Sequence, residues 1–352
     1  MDWGIGHATR CVPVIEKLTE LGFEVIIAAS GRPLEFLKKE YPVMRIIEFP
    51  GTKIRYPKNG WIALKMLQIA PRLLSGIWRE HRALKKIVSQ TGASMVISDN
   101  RFGCWHTGVP SVFITHQPEI RVPAQLKFIK GLLNSANRWF INKYTECWIP
   151  DFEPHRGLAG DLSHPAKMPQ RCYYIGILSR FSLRPDPYAD SIQRYDLLVM
   201  LSGPEPQRTI LEERVLMQLV NINMQVAMVR GIPESDEEFV LDGRIHVFAH
   251  LETGKMKRLI NASDLVISRS GYSTIMDIVS LGKRAIFIPT PGQTEQEYLA
   301  KYLNDKKIYF SMNQKDFDLL YAIEMSKNFP GMVIRNDYAA LASRIKATTI
   351  TS

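Results

Sequence analysis

The chain has little of what marks a secreted, metal-bound or membrane-spanning protein. Its 352 residues include four cysteines, Cys11, Cys104, Cys147 and Cys172, scattered and without Cys-x-x-Cys spacing. Such thiols suit a reducing cytoplasmic setting and argue against both a disulfide framework and a structural metal. No uninterrupted apolar run reaches the ~18 residues that a spanning helix needs. The N-terminus is Gly-rich and lacks the apolar core of a signal peptide. There is no low-complexity tract, no internal repeat beyond two similar halves, and no nucleic-acid-binding motif.

What is present supports two domains: 45% of residues are hydrophobic, enough for a sizeable core at this length. The net charge of +10 is unevenly placed. Residues 1–190 hold 26 Lys and Arg against 16 Asp and Glu, whereas residues 191–352 hold 19 of each. A basic first domain implies an anionic partner, either a charged substrate, an anionic membrane surface or nucleic acid.

The most informative stretch is DLVISRSGYSTIMDIVSLGKRAIFIPTPGQTEQE, residues 264–297. Asp264–Ser268 and Arg284–Ile288 read as buried parallel strands, and Tyr272–Leu281 reads as a helix closed by Gly282. Ligands of such units sit beyond the carboxyl ends of the strands. The turn Arg269-Ser270-Gly271 therefore offers helix N–H groups and a partial positive charge to a phosphate. Asp277, further along that helix, can accept from vicinal sugar hydroxyls. Gln296 and Glu297 open the next helix and can bind a second polar group. Ordinary capping explains the same residues without a ligand.

Near the start, Gly4-x-Gly6-His7 runs into an amphipathic helix that stops at Gly22, and Phe23–Ala29 follows as a strand. A Gly-rich turn of this kind normally follows a strand, so a first, central strand is expected to be missing from the chain as given. A positive helix end disfavours imidazolium, so His7 is expected to stay neutral near pH 7 and to serve as a base, or else to be a backbone-satisfied helix-start histidine. Strands at Ala93–Ser98 and Pro110–Thr115 end in Asp99 and His116. Both should face the cleft with His7, where each either orients it, binds substrate or caps the next element.

Trp61–Val88 reads as one long helix or two joined helices broken near Pro71. Like Leu126–Lys143, it is basic and amphipathic. These stripes are either core faces with a solvated edge or a surface that docks on anionic membrane. Pro185-Asp186-Pro187 lies in a linker, giving expected domains of 1–190 and 191–352. In the second domain Tyr195–Leu201 ends in Ser202-Gly203-Pro204-Glu205-Pro206, and Arg208 opens the next helix within reach of a phosphate.

Residues 264–297 resemble the donor-sugar signature of MurG-like glycosyltransferases, glycosyltransferase family 28, which have the GT-B fold. The resemblance implies an α/β protein with two Rossmann-like, doubly wound parallel-sheet domains facing a central cleft. It puts Ser270 and Gly271 on the phosphate turn with Arg269, Asp277 on the ribose-binding acid and Gln296 on a sugar-binding Gln. Glu297 stands where a second Gln is frequent. Ser202 and Gly203 fall on a diphosphate loop, and the Phe248-Ala249 backbone on the base reader, with uracil implied. Gly4, Gly6 and Arg10 belong to the acceptor-side loop, and His116-Gln117 is a shortened match to a string bordering the acceptor cleft. The string Gly4, Gly6, His7, Arg10, Cys11 is also similar to the UDP-sugar hydrolase of the pseudaminic acid pathway.

The expected activity is transfer of a sugar from a UDP-sugar or other nucleotide-sugar donor, with inversion, to an acceptor that is lipid-linked or anionic. The nucleotide-sugar is a substrate, no cofactor is expected, and no Asp-x-Asp at a strand end suggests a metal. Hydrolysis of the same donor, or non-catalytic binding of a nucleotide-sugar or membrane, are the alternatives. The expected location is cytoplasmic, at the inner face of the membrane.

Overall fold

A computed structural model of the chain describes residues 5–51, 62–122, 128–154, 157–182, 193–220 and 222–350. Gly4 and the Pro185–Pro187 linker lie outside these residues.

The N-terminal part runs α1 (Ile5–Glu20), β1 (Ile26–Ala29), α2 (Gly31–Glu40), β2 (Arg45–Glu48), α3 (Ile62–Thr91), β3 (Val96–Asp99), β4 (Ser111–Ile114), α4 (Lys130–Ile141), β5 (Glu146–Ile149) and β6 (Cys172–Tyr174). β1 and β2 pair in parallel, and β3, β4, β5 and β6 form a second parallel sheet in that order. Among the described residues the two sheets are not hydrogen-bonded to each other. α1 joins them through its packing. Ala8, Val12 and Ile15 cluster with Ile27, Ala29 and Phe36, while Val14 and Leu18 cluster with Val112, Ile114 and Trp148. α3 continues through Pro71 as one helix instead of breaking there. A proline removes one N–H and crowds the preceding turn, yet the remaining hydrogen bonds can carry a long helix across it.

The C-terminal part runs β7 (Tyr195–Met200), α5 (Gln207–Leu219), β8 (Val226–Val229), β9 (Glu238–Leu241), β10 (Ile245–Phe248), α6 (Thr253–Asn261), β11 (Ser263–Ser268), α7 (Tyr272–Leu281), β12 (Ala285–Phe287), α8 (Thr294–Asp305), β13 (Phe310–Ser311), α9 (Leu319–Ser326) and α10 (Ala339–Ile350). Its sheet has the order β13-β12-β11-β7-β8-β10-β9, parallel except at the β9 edge. β9 escaped the sequence reading. Its signal is Asp242-Gly243, both at positive φ, in the three-residue turn of the β9–β10 hairpin.

Side chains alternate across this sheet with the period of a strand. Leu197, Val199 and Leu201 pack with α5 and α9, while Leu198, Val266 and Phe287 pack on the opposite face. That opposite face shares one core with the N-terminal part, because Tyr272, Ile275 and Met276 of α7 cluster with Ile114, Trp148 and Ile177. Each such fully buried side chain contributes about 1.5–3 kcal/mol. α7 ends where expected: Gly282 takes φ +64, and its N–H reaches the last carbonyls of the helix.

The terminal helix α10 returns to the first domain. Its Arg344 donates to the buried Glu146 carboxylate, which also accepts from Trp148 Nε1 at 2.7 Å and Thr348 Oγ1 at 3.0 Å. Arg344→Ala would leave that carboxylate without its counter-charge. It is expected to lower the free energy of unfolding by about 2–4 kcal/mol, measured by urea titration.

Candidate active site

The carboxyl ends of β3 and β4 face the first turns of α1. Asp99 closes β3, His116 lies just past β4, and His7 and Arg10 sit one helical turn apart on α1. The i, i+3 spacing puts the last two on one face. Arg10, which is 3% exposed, is the hub. Its Nε donates to Asp99 Oδ1 at 3.0 Å and Oδ2 at 2.8 Å, and Nη2 also donates to Asp99. Nη1 lies 3.0 Å from His116 Nδ1, and Nη2 lies 2.9 Å from His7 Nδ1. His7 Nδ1 is also 3.1 Å from Asp99 Oδ2.

Protonation follows from these contacts. Burial would raise the Asp99 carboxyl, but Arg10 and His7 outweigh it and hold the group well below the usual range. Burial and the Arg10 charge lower His7, against the opposing pull of Asp99. His7 is thus neutral near pH 7 and a quarter exposed, so it can take a proton. Burial and Asp99 push the Cys11 thiol up, which keeps it protonated.

The network crosses to the C-terminal part. His116 Nε2 lies 2.8 Å from Glu295 Oε1, and its ring stacks on Tyr272 with centroids 4.5 Å apart. Ser273 Oγ donates to the Gly6 carbonyl at 2.8 Å. Glu295 was not singled out in the sequence. Three polar residues, Glu295, Gln296 and Glu297, open α8, and only their rotation about the helix axis distinguishes them.

The residues expected to bind the donor divide by what they touch. Ser270 and Gly271 stand at the start of α7. Ser270 Oγ donates to the Gln296 carbonyl at 2.8 Å, and Gly271 is the N-cap. Gln296 Oε1 accepts from Thr290 N at 2.9 Å, and Glu297 Oε1 from Gly292 N at 2.8 Å, so both side chains brace the preceding loop. Ser202 is exposed, and Gly203 takes φ +102 beside Thr290.

Arg208 binds Glu205 at 2.5 Å and Glu212 at 2.6 Å. Arg269 is buried. It donates to the carbonyls of Ile288, Pro289 and Gln207 and to Gln314 Oε1, and burial lowers it to about 10. Asp277 accepts from Ser179 Oγ at 2.7 Å and lies 3.6 Å from Arg180 Nε. Burial, which Arg180 only partly offsets, raises its carboxyl to about 6. The Phe248 carbonyl accepts from Arg230 N, while Ala249 N donates to Glu237 and its carbonyl accepts from Ile232 N. Among the described residues no three His, Cys, Asp or Glu side chains are grouped as metal ligands.

A second feature lies on and beside α3 and α4. Trp78, Phe128, Leu132 and Trp139 are 63%, 77%, 73% and 57% exposed. The Lys143 ammonium lies over Trp139 and Trp105, the Trp105 ring stacks on His81, and Arg82 lies over Trp78. The two helices thus present apolar side chains among cations. No described helix is long and apolar enough to cross a membrane.

Two parallel-sheet halves with a polar network between them are the architecture of a GT-B glycosyltransferase. The chain superposes on Acinetobacter baumannii MurG with a TM-score of 0.54 at 16% identity, covering 97% of this chain and 96% of that one. For the glycosyltransferase SnogD from Streptomyces nogalater the TM-score is 0.61 at 12% identity, with 98% and 97% covered. Residues 207–327 match the glycosyltransferase family 28 C-terminal domain, and residues 2–118 match glycosyl transferase family 1.

The UDP-N-acetylglucosamine--N-acetylmuramyl-(pentapeptide) pyrophosphoryl-undecaprenol N-acetylglucosamine transferase of Sulfurihydrogenibium sp. is 33% identical over 98% of this chain and 91% of its own. An uncharacterized glycosyltransferase of Methanopyrus kandleri is 24% identical over 81% and 82%. The chain belongs to glycosyltransferase family 28 and is a MurG-like glycosyltransferase.

Asp99→Asn would leave Arg10 buried without its counter-ion and is expected to cost about 3–5 kcal/mol of stability at pH 7. The folded carboxyl sits below its unfolded value near 4, so the stabilisation is present above that pH and is lost as pH falls towards the folded value. Urea midpoints of parent and variant should therefore converge on acidification below about pH 4.

Proposed function

We infer that this glycosyltransferase moves a sugar from a UDP-sugar to a hydroxyl acceptor, with His7 as general base. The observation that carries the reading is the neutral, partly exposed His7 held against Asp99 at the cleft. In the reaction the acceptor hydroxyl attacks the anomeric carbon, and the bond from that carbon to the diphosphate oxygen breaks. The proton passes to His7, and Asp99 stabilises the imidazolium. The diphosphate leaves towards the N–H groups at Ser270-Gly271 and the Ser202-Gly203 loop, where the partial charge of a helix end favours an anion. One displacement inverts the anomeric centre.

Residues 1–190 serve as the acceptor side and 191–352 as the donor side. UDP as the nucleotide is supported by the name of the Sulfurihydrogenibium relative. The base-reading role of Phe248-Ala249 and the ribose role of Asp277 belong to this reading. Both require that groups now paired within the chain exchange partners when the donor binds.

That relative's name also describes a lipid-linked acceptor. A lipid-linked acceptor agrees with the exposed apolar and cationic side chains of α3 and α4, which suit the inner face of the cytoplasmic membrane.

His7→Ala is expected to cut kcat/KM by about 10²–10⁴ with UDP-sugar and acceptor while leaving UDP affinity by calorimetry within about threefold. Unchanged turnover would remove His7 from the role. Rapid release of free sugar without acceptor would make water the nucleophile and the protein a hydrolase. Trp78→Ser with Trp139→Ser is expected to lower binding to anionic phosphatidylglycerol vesicles at least about tenfold in sedimentation, with the unfolding midpoint nearly unchanged because both side chains are exposed.

A further inference from the structure

The network around His7 does not end within the N-terminal part. His116 Nδ1 lies 3.0 Å from Arg10 Nη1, and a guanidinium can only donate, so Nδ1 must accept. The ring proton then sits on Nε2 and goes to Glu295 Oε1, 2.8 Å away. Tyr272 covers one face of the same ring, and its hydroxyl donates to the Pro150 carbonyl at 2.8 Å. Residues of α7 and α8 therefore fix both the tautomer and the tilt of a histidine that belongs to the N-terminal part.

His7 Nδ1 faces two alternatives. At 3.1 Å it can donate to Asp99, which leaves Nε2 bare and able to take a proton. At 2.9 Å it can accept from Arg10 Nη2, which puts the ring proton on Nε2 and removes the base. Which contact prevails depends on where the guanidinium is held. His116 holds one end of it, and Glu295, by taking the proton on Nε2, reinforces the tautomer in which Nδ1 of His116 accepts from Arg10.

We propose that Glu295 is a positioning residue that acts on His7 through His116 and Arg10, so that His7 is a competent base only while the two halves of the chain are in contact. The proposal rests on the reading of His7 as the base. The charged and titratable groups facing His7 are Arg10 and Cys11 from α1, Asp99 from β3, His116 beyond β4 and Glu295 from α8. Burial raises the Glu295 carboxyl, but His116, Arg10 and His7 outweigh it and hold the group below its usual range. The coupling is reciprocal, so the Glu295 charge favours protonated His7. Removing that charge should lower the proton affinity of His7. Removing the acceptor atom as well should free the His116 tautomer.

Glu295→Gln keeps an oxygen for the His116 Nε2 proton and loses only the charge, whereas Glu295→Leu loses both. Imidazole ¹⁵N shifts of the full-length protein would be followed from about pH 5 to about pH 8.5, with His7 assigned through His7→Gln. The expected result is a lower His7 midpoint in Glu295→Gln with His116 still protonated at Nε2, and a mixed His116 tautomer in Glu295→Leu. With UDP-sugar and acceptor, Glu295→Leu should lower kcat at least about tenfold with donor KM within about threefold, and Gln should restore most of the loss.

An unchanged His7 midpoint together with an unchanged His116 tautomer in both variants would overturn the proposal, as would equal kcat losses for Gln and Leu. The NMR titration needs no turnover. A shifted midpoint beside an active His7→Ala enzyme would uphold the coupling and refute only the base assignment.

Discussion

The buried guanidinium of Arg10 is the contact on which the site depends. A charge in that position must be matched, and Asp99 matches it through both carboxylate oxygens. Burial alone would lower Arg10, but pairing with Asp99 outweighs it and holds the guanidinium charged. The pair fixes α1 against the carboxyl ends of β3 and β4. It also sets the two histidines at their distances and leaves His7 neutral between the two halves. α1 in turn is the element that joins the two small N-terminal sheets, so the same helix carries both the architecture of this domain and its chemistry.

The C-terminal side of the cleft is built differently. Its turns are held by hydrogen bonds that use up many of the polar groups near them. Arg208 is shared between two glutamates, Arg269 stitches three loops together, and Gln296 and Glu297 brace the turn before α8. What remains at the strand ends is chiefly backbone: the amino end of α7 at Gly271 and the Ser202-Gly203 loop. Backbone dipoles held in place by such bracing are what the proposed leaving diphosphate calls for, since preorganised dipoles need no rearrangement as charge develops.

Much of this was legible in the residues. The runs at 195–201, 245–249, 264–268 and 284–288 read as strands because parallel, doubly covered strands are short and continuously apolar. Gly282 marked the end of α7 because a left-handed residue there costs glycine nothing. β13 and α9 were not legible. β13 is a two-residue strand, and α9 spans only Leu319–Ser326, too short for periodicity to declare itself. Pro71 marks a break by its chemistry alone and is not one, since the surrounding turns of α3 continue through it.

By itself the sequence determined the parallel-sheet halves, the turn that opens α7 and the candidacy of His7, Asp99 and His116, because strand runs, caps and turn residues are local. Only the tertiary structure decided which partner each polar group takes. His7 and Asp99 are 92 residues apart, and His116 and Glu295 are 179 apart. Adjacent positions on α8 differ by about 100° around the helix axis. Neither relation is written in spacing along the chain, and both had to wait for the packing of α1, α7 and α8 into one core.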